Sequence, residues 1–460
     1  MRLLERLGKL CVVFGVCALA TFFATSFGGG SLWQTFDPAL AGTGSAGSPK
    51  APYDLTRLEA VNETLKMIRD KYVDPDRVKP KEMLLSALNY VQRDVAQVIV
   101  LTDDPNEVTV RVETNEKKFR VDNIQGPWDV SARLREVFTF LQKNLRGSEV
   151  DLREVEYAAC NGMLHTLDPH SVFLSPEAYK EMNLSTSGAF GGLGIVISIR
   201  DQMLTVMNPM PETPAGRAGL KRFDRIVKIN NESTLNMPLD DAVRRLRGDP
   251  GTKVTVWVTR DGDGGWQGNK PFELTREQIK VRSVESRALE GGVGYVRLKQ
   301  FQQSSFAELE AALDELRQKG PIKGLVLDLR GNPGGLLDQA ARIADKFLAD
   351  GVIVSTVGAS EGREEKRAKG AGTEPAYPLV VLVSGTSASA SEIVAGALKN
   401  QNRALIVGAQ TFGKGSVQLV FPDITSEKAA LKLTIAQYLT PGDVSIQGVG
   451  VVPDIELDPM

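Results

Sequence analysis

Two stretches of this chain carry residue types suited to acyl transfer. The small-residue run Ser384–Ser391 lies between an apolar run, Leu379–Val383, and a helix-patterned segment, Glu392–Asn400. Beyond it a second apolar run, Ala404–Val407, leads into Gly413-Lys414-Gly415. A strand-to-helix turn leaves backbone N–H groups free at the helix N-terminus, where they stabilise negative charge, including a developing oxyanion. A serine hydroxyl is a weak nucleophile and needs an adjacent base. The chain has only two histidines, His165 and His170, so little material exists for a Ser-His-Asp triad or for a zinc site made with Cys and His. A neutral lysine is the alternative base. An exposed lysine titrates near ~10.4, and desolvation lowers that value by disfavouring the charged form. Lys414, between apolar strands and glycines that permit close approach, suits this requirement. Ser387, Ser389 and Ser391 compete as nucleophile on these grounds, each with backbone capping as its rival role. Glu392 reads as a helix first-turn acid, and His170, in Asp-Pro-His-Ser, as part of a turn.

The region resembles the carboxyl-terminal processing (tail-specific) serine proteases, which use a Ser/Lys dyad. SASASEI, FGKG, DLRGNPGG (Asp328–Gly335), LDPHS (Leu167–Ser171), GGLGI (Gly191–Ile195) and GVGVVPDI (Gly448–Ile455) all match the family pattern, over roughly Tyr53 to Leu457. The resemblance implies that Ser389 is the nucleophile and Lys414 the general base, which later protonates the leaving amine. Gln418 matches the supporting glutamine; being uncharged, it can orient an amine without favouring its protonation. The oxyanion would be held by the N–H of Ala390 and by one from Gly334 or Gly335. No metal, nucleotide or other cofactor is implied.

The remaining chain must position these groups. At 460 residues it has room for two to four domains. A content of 42% apolar and 24% charged residues excludes wholesale disorder, and a formal charge of −2 argues against a nucleic-acid partner. Arg2, Arg6 and Lys9 precede the uncharged segment Leu10–Phe27, an export pattern that fits a cleaved signal or a retained anchor over residues 1–30. The body of the protein is therefore expected in the periplasm or cell envelope. Residues 31–52, rich in Gly, Ser, Ala and Pro, read as a linker. Cys160 would be the lone cysteine of a processed chain and reads as a buried thiol.

Apolar residues at helical spacing mark residues 53–185 as an N-terminal helical region, where family members place dimerising helices. Short alternating strands interrupt it at 95–126 and depart from the family pattern. Residues 186–279 resemble a PDZ domain. Gly192, Leu193, Gly194 and Ile195 are expected to hold a peptide's terminal carboxylate beside a strand that accepts the peptide as an added strand. Arg247 is a candidate anchor for that peptide, with a helix-end cation as its rival role. Residues 280–460 alternate strands and helices, as in a layered α/β core, which by resemblance is ClpP/crotonase-like. Within it, Glu361–Ala376 reads as a mobile surface loop. The whole is thus an α/β multidomain protein, expected to be an exported serine endopeptidase acting on proteins or peptides with exposed C-termini. The resemblance adds a dimer or larger ring; an adaptor or lipoprotein activator is a further candidate partner, and the need for one stays open. The alternatives are a catalytically silent PDZ scaffold of the cell envelope and an acyl-CoA enzyme of the crotonase fold.

Overall fold

Helices with apolar residues at three- and four-residue steps build the first layer. The computed structural model describes residues 53–262, 264–358 and 362–457. The expectations of a signal or anchor and of a linker fall on residues outside these. Helices Glu59–Lys71, Pro80–Asp94, Pro127–Asn144 and Leu152–His165 bury Val61, Leu65, Leu84, Leu88, Leu134, Phe138 and Met163 in one cluster. Pro80 and Pro127 open their helices at the first turn, where a missing N–H costs nothing. The second and fourth helices meet at Gly162, where an added Cβ would lie 2.4 Å from the Ser86 carbonyl oxygen.

Strands Val98–Asp104, Glu107–Val112 and Asn115–Arg120 form a three-stranded antiparallel sheet on these helices. Val108, Val110 and Val112 alternate inward and join the helical cluster. Cys160 is buried in the same cluster, and desolvation raises its thiol pKa.

Helix Pro176–Ser187 ends at Gly188 in the left-handed conformation. A two-stranded ladder of Ala189–Gly192 with Glu277–Lys280 then carries the chain into and out of a β-rich body. Its sheet runs in the order Lys270–Thr275, Lys253–Thr259, Arg225–Ile229, Met203–Pro209, Ile195–Arg200. Its core holds Leu204, Val206, Ile226, Val254, Val256 and Leu246. The Ile195–Arg200 strand lies at the edge.

The α/β core is built on a six-stranded sheet in the order Val284–Leu289, Val293–Leu298, Gly324–Asp328, Leu379–Val383, Leu405–Gly408, Ile455–Glu456. The first strand is antiparallel to its neighbour and the others run parallel. Helices Ser305–Gln318, Leu337–Asp345 and Ala390–Asn400 pack their apolar residues into the same core. A second sheet orders Gly362–Arg367, Val352–Gly358, Ala430–Thr440 and Ser416–Phe421. Strand Ala430–Thr440 joins two cores, because Leu431 and Leu433 enter the helical cluster whereas Tyr438 enters the α/β cluster.

One sequence expectation is corrected here. Gly362–Arg367, within the stretch read as a mobile loop, is an edge strand paired with Val352–Gly358. Its side chains are nearly all exposed and charged, so no apolar alternation announces it; backbone pairing alone defines it, and its charges discourage further strand addition.

The close approach at Gly162 makes a direct test of helix packing. Gly162→Ala should destabilise the protein by about 1–3 kcal/mol through overpacking, read as a lower urea midpoint at unchanged slope. An unchanged midpoint would mean that the two helices can separate there at no cost.

Candidate active site

The serine-rich turn becomes selective once its hydrogen bonds are traced. Ser387 is fully buried; its hydroxyl donates to the Leu329 carbonyl at 2.8 Å and accepts from the Ser384 N–H at 2.9 Å. The Ser391 hydroxyl, also fully buried, donates to the Asn332 carbonyl at 2.9 Å. Both therefore serve the backbone. Ser389 is half-buried, at the N-cap of helix Ala390–Asn400, and its hydroxyl has no partner among the described residues. Its backbone sits at φ +55° and ψ −113°, a conformation costly for a residue with a Cβ and maintained only where the surroundings enforce it.

Glu392 supplies much of that enforcement. Its carboxylate is fully buried and accepts four hydrogen bonds. One oxygen takes the Thr411 hydroxyl at 2.6 Å and the Gly413 N–H at 2.7 Å. The other takes the Ser389 N–H at 2.7 Å and the Lys414 N–H at 2.9 Å. The backbones of the serine turn and of the lysine loop thus share a single oxygen. A further bond from the Phe412 N–H to the Ser387 carbonyl, at 3.0 Å, reinforces the junction. The sequence shows Ser-x-x-Glu, a helix-start signal, but nothing in it announces that the acid also reaches the second loop.

The lysine loop is braced from behind by Gln447–Gly450. The Gly448 N–H donates to the Gly413 carbonyl at 2.8 Å, and the Gly415 N–H to the Gln447 side chain at 3.0 Å. Gly413 has φ +91°, and a Cβ there would lie 3.0 Å from backbone atoms of Gly448 and Val449. Both the turn and the approach require glycine. Burial lowers the Lys414 pKa to about 8, neighbouring Lys432 adds to the shift, and Asp168 and Glu392 oppose it.

The structure does not join every candidate directly. No hydrogen bond connects the Ser389 hydroxyl to the Lys414 amine, or Gln418 to Lys414, among the described residues. The Gln418 amide instead donates to the Ser416 hydroxyl at 2.8 Å and to the Thr434 hydroxyl at 3.3 Å.

Gly334 lies against the serine turn; a Cβ there would be 2.7 Å from the Ala388 carbonyl oxygen and 2.9 Å from the Ser389 Cβ. Its N–H donates to the Asn332 side chain at 2.9 Å. The N–H groups of Gly335 and Ala390 have no acceptor among the described residues. Asn332, fully buried, ties the two turns together, since its carbonyl also accepts from the Ala388 N–H at 3.0 Å.

In the β-rich body, Leu193 is buried and its carbonyl accepts from the Ala215 N–H at 3.0 Å. Gly194 has φ +74°, and a Cβ there would meet the Thr213 side chain at 2.3 Å. Ile195 opens the edge strand, opposite Pro209. The Arg247 stem passes beside Gly192, but its guanidinium pairs with Glu181 of helix Pro176–Ser187 and lies over the Phe190 ring, 4.6 Å from the centroid. Arg247 is therefore engaged with the helix that precedes this body rather than free above the loop.

Comparison with known proteins gives a consistent picture. The profile described as Peptidase family S41 matches residues 292–457, and a PDZ-domain profile matches residues 205–260. A carboxy-terminal-processing protease of Bartonella bacilliformis is 42% identical over 348 residues, covering 74% of this chain and 78% of that protein. A carboxyl-terminal-processing protease of Synechocystis is 39% identical over 310 residues, covering 66% and 71%. Among solved structures, a photosystem II D1 C-terminal processing protease aligns over 89% of this chain and 94% of its own, at 28% identity and a TM-score of 0.47.

The shared carboxylate predicts a specific defect. Glu392→Gln places an amide N–H toward two donors, so kcat should fall by about 10²-fold through misplacement of the two loops, with KM little changed. Near-normal kcat in a folded variant would show that the junction does not set the site's geometry.

Proposed function

The chain belongs to the carboxy-terminal-processing proteases, serine-type peptidases of the S41 family that here carry a PDZ domain, and on that footing we propose that Ser389 and Lys414 form its catalytic dyad. One observation carries this reading. Of the three candidate serines only Ser389 keeps an uncommitted hydroxyl, and its backbone N–H shares a carboxylate oxygen with that of the desolvated Lys414.

In the proposed reaction Ser389 Oγ attacks the scissile carbonyl carbon while neutral Lys414 takes its proton. The tetrahedral oxyanion is met by the N–H groups of Ala390 and Gly335; Gly334, whose N–H is held by Asn332, shapes the close approach. Lys414 then passes the proton to the leaving amine. It next activates the water that hydrolyses the acyl-enzyme. Gln418 has its amide nitrogen fixed by Ser416 and Thr434, which leaves its oxygen as the group to orient the lysine.

Substrate selection falls to the PDZ domain. The edge strand Ile195–Arg200 has an open side on which an extended peptide can pair, next to the Gly192–Ile195 loop for its terminal carboxylate. Arg247 would join that carboxylate only by leaving Glu181. We assign the domains at 53–185, 186–279 and 280–460. The Arg2, Arg6, Lys9 and Leu10–Phe27 pattern supports a location outside the cytoplasm, with that segment cleaved or kept as an anchor. By family resemblance, assembly as a dimer or larger ring completes the proposal, with an adaptor or lipoprotein activator as a further candidate partner.

Degradation of an unfolded protein with an apolar C-terminal tail tests this reading. Ser389→Ala and Lys414→Ala should each lower kcat by about 10³-fold or more, and parent activity should rise through about pH 8 as Lys414 loses its proton. Amidation of the substrate's C-terminus should raise KM. Full activity of Ser389→Ala would contradict the assignment.

A further inference from the structure

Two further charged side chains, Asp168 on the Leu167–Ser171 turn and Lys432 on strand Ala430–Thr440, act electrostatically on Lys414 without an ion pair between them among the described residues. Asp168 has both carboxyl oxygens held by hydrogen bonds. Its Oδ1 accepts from the N–H groups of His170 at 2.7 Å and Ser171 at 2.9 Å, and from the Thr434 hydroxyl at 3.1 Å. Its Oδ2 accepts from the Ser171 hydroxyl at 2.7 Å. The Thr434 hydroxyl also accepts from the Gln418 amide, so Asp168 and Gln418 belong to one network. Lys432 stands two residues from Thr434 on strand Ala430–Thr440 and therefore on the same face. The alternate residues, Leu431 and Leu433, point into the helical cluster. Register places Lys432 between Val172 and Val420. Its ammonium has no hydrogen bond or ion pair among the described residues.

From this arrangement we infer that Lys432, with Asp168 as its counter-charge, is a positioning residue that holds the site's standing positive charge and thereby keeps Lys414 the neutral lysine. Two ammonium groups in a poorly solvated site repel, so one sheds its proton more readily. The charged and titratable groups around Lys414 are Lys432 on the second sheet, Asp168 and His170 on the turn, and Glu392 on the helix. Lys432 disfavours the charged form of Lys414, and Asp168 and Glu392 favour it. Glu392 is already saturated by four donors. Burial and Lys414 lower the pKa of His170, and burial lowers that of Lys432 against the pull of Asp168.

The inference rests on Lys414 being the base, and the test separates the two claims. We would measure kcat/KM from about pH 6 to about pH 10 with an internally quenched peptide that has a free apolar C-terminus. The parent would be compared with Lys432→Met, Lys432→Arg, Asp168→Asn and Lys414→Ala. Loss of the Lys432 charge should move the acid limb up by about one pH unit, lowering the rate near neutrality about tenfold. Asp168→Asn keeps the Oδ1 acceptor but removes the anion, and should move the limb down. Lys432→Arg should leave it near the parent position. A residue with only a structural role would not move the limb in opposite directions. Unshifted limbs in Lys432→Met and Asp168→Asn, with Lys414→Ala inactive, would overturn this inference and leave the dyad standing. Activity in Lys414→Ala would overturn the dyad itself.

Discussion

The site depends on one buried carboxylate that serves two loops at once. Glu392 belongs to the helix that begins at Ser389, yet two of its four donors come from the glycine-flanked lysine loop and a third from Thr411. Burying a charge is costly unless donors replace its water. Here the donors are the backbone groups whose positions matter most. The hydrogen bonds that offset the burial of this acid therefore also fix the strained Ser389 backbone beside Lys414.

Everything around that junction limits its freedom. Asn332 stitches the Gly334–Gly335 turn to the serine turn, and Gln447–Gly450 backs the lysine loop. Strand Ala430–Thr440 brings the helical N-terminal region to the same place, with Leu431 and Leu433 in one core and Thr434 in the hydrogen-bond network of Gln418 and Asp168. The PDZ domain connects through the ladder at Phe190 and Ile279 and through the Arg247–Glu181 pair. A substrate tail that draws Arg247 away would thus act on the helix joining the PDZ domain to the rest of the chain.

Much of the fold is legible in sequence where side-chain pattern and burial coincide. Val108, Val110 and Val112 alternate and are buried, and Val61, Leu65 and Ile68 recur at helical steps and are buried. The serine turn and the Gly413–Gly415 loop are visible from their small residues between apolar strands. What escapes reading depends on partners far apart in the chain or on backbone groups alone. Glu392 looks like any first-turn acid because its second set of donors comes from another loop. Edge strand Gly362–Arg367 has no buried face to leave a pattern. The engagement of Arg247 with Glu181, and of the Gly334 N–H with Asn332, follows from tertiary placement that residue type does not encode. Lys432 hides within an alternating strand, where one lysine among apolar residues resembles an ordinary solvent-facing position.

The central claim is that Ser389 is the activated nucleophile, and covalent trapping tests it most directly. A fluorophosphonate, which phosphonylates a serine activated by a neighbouring base, would be reacted with the protein and the adduct located by peptide mass mapping. The account predicts a single adduct on Ser389 that forms slowly or not at all in Lys414→Ala. An adduct on Ser387 or Ser391, or labelling of Ser389 at an undiminished rate without Lys414, would contradict it.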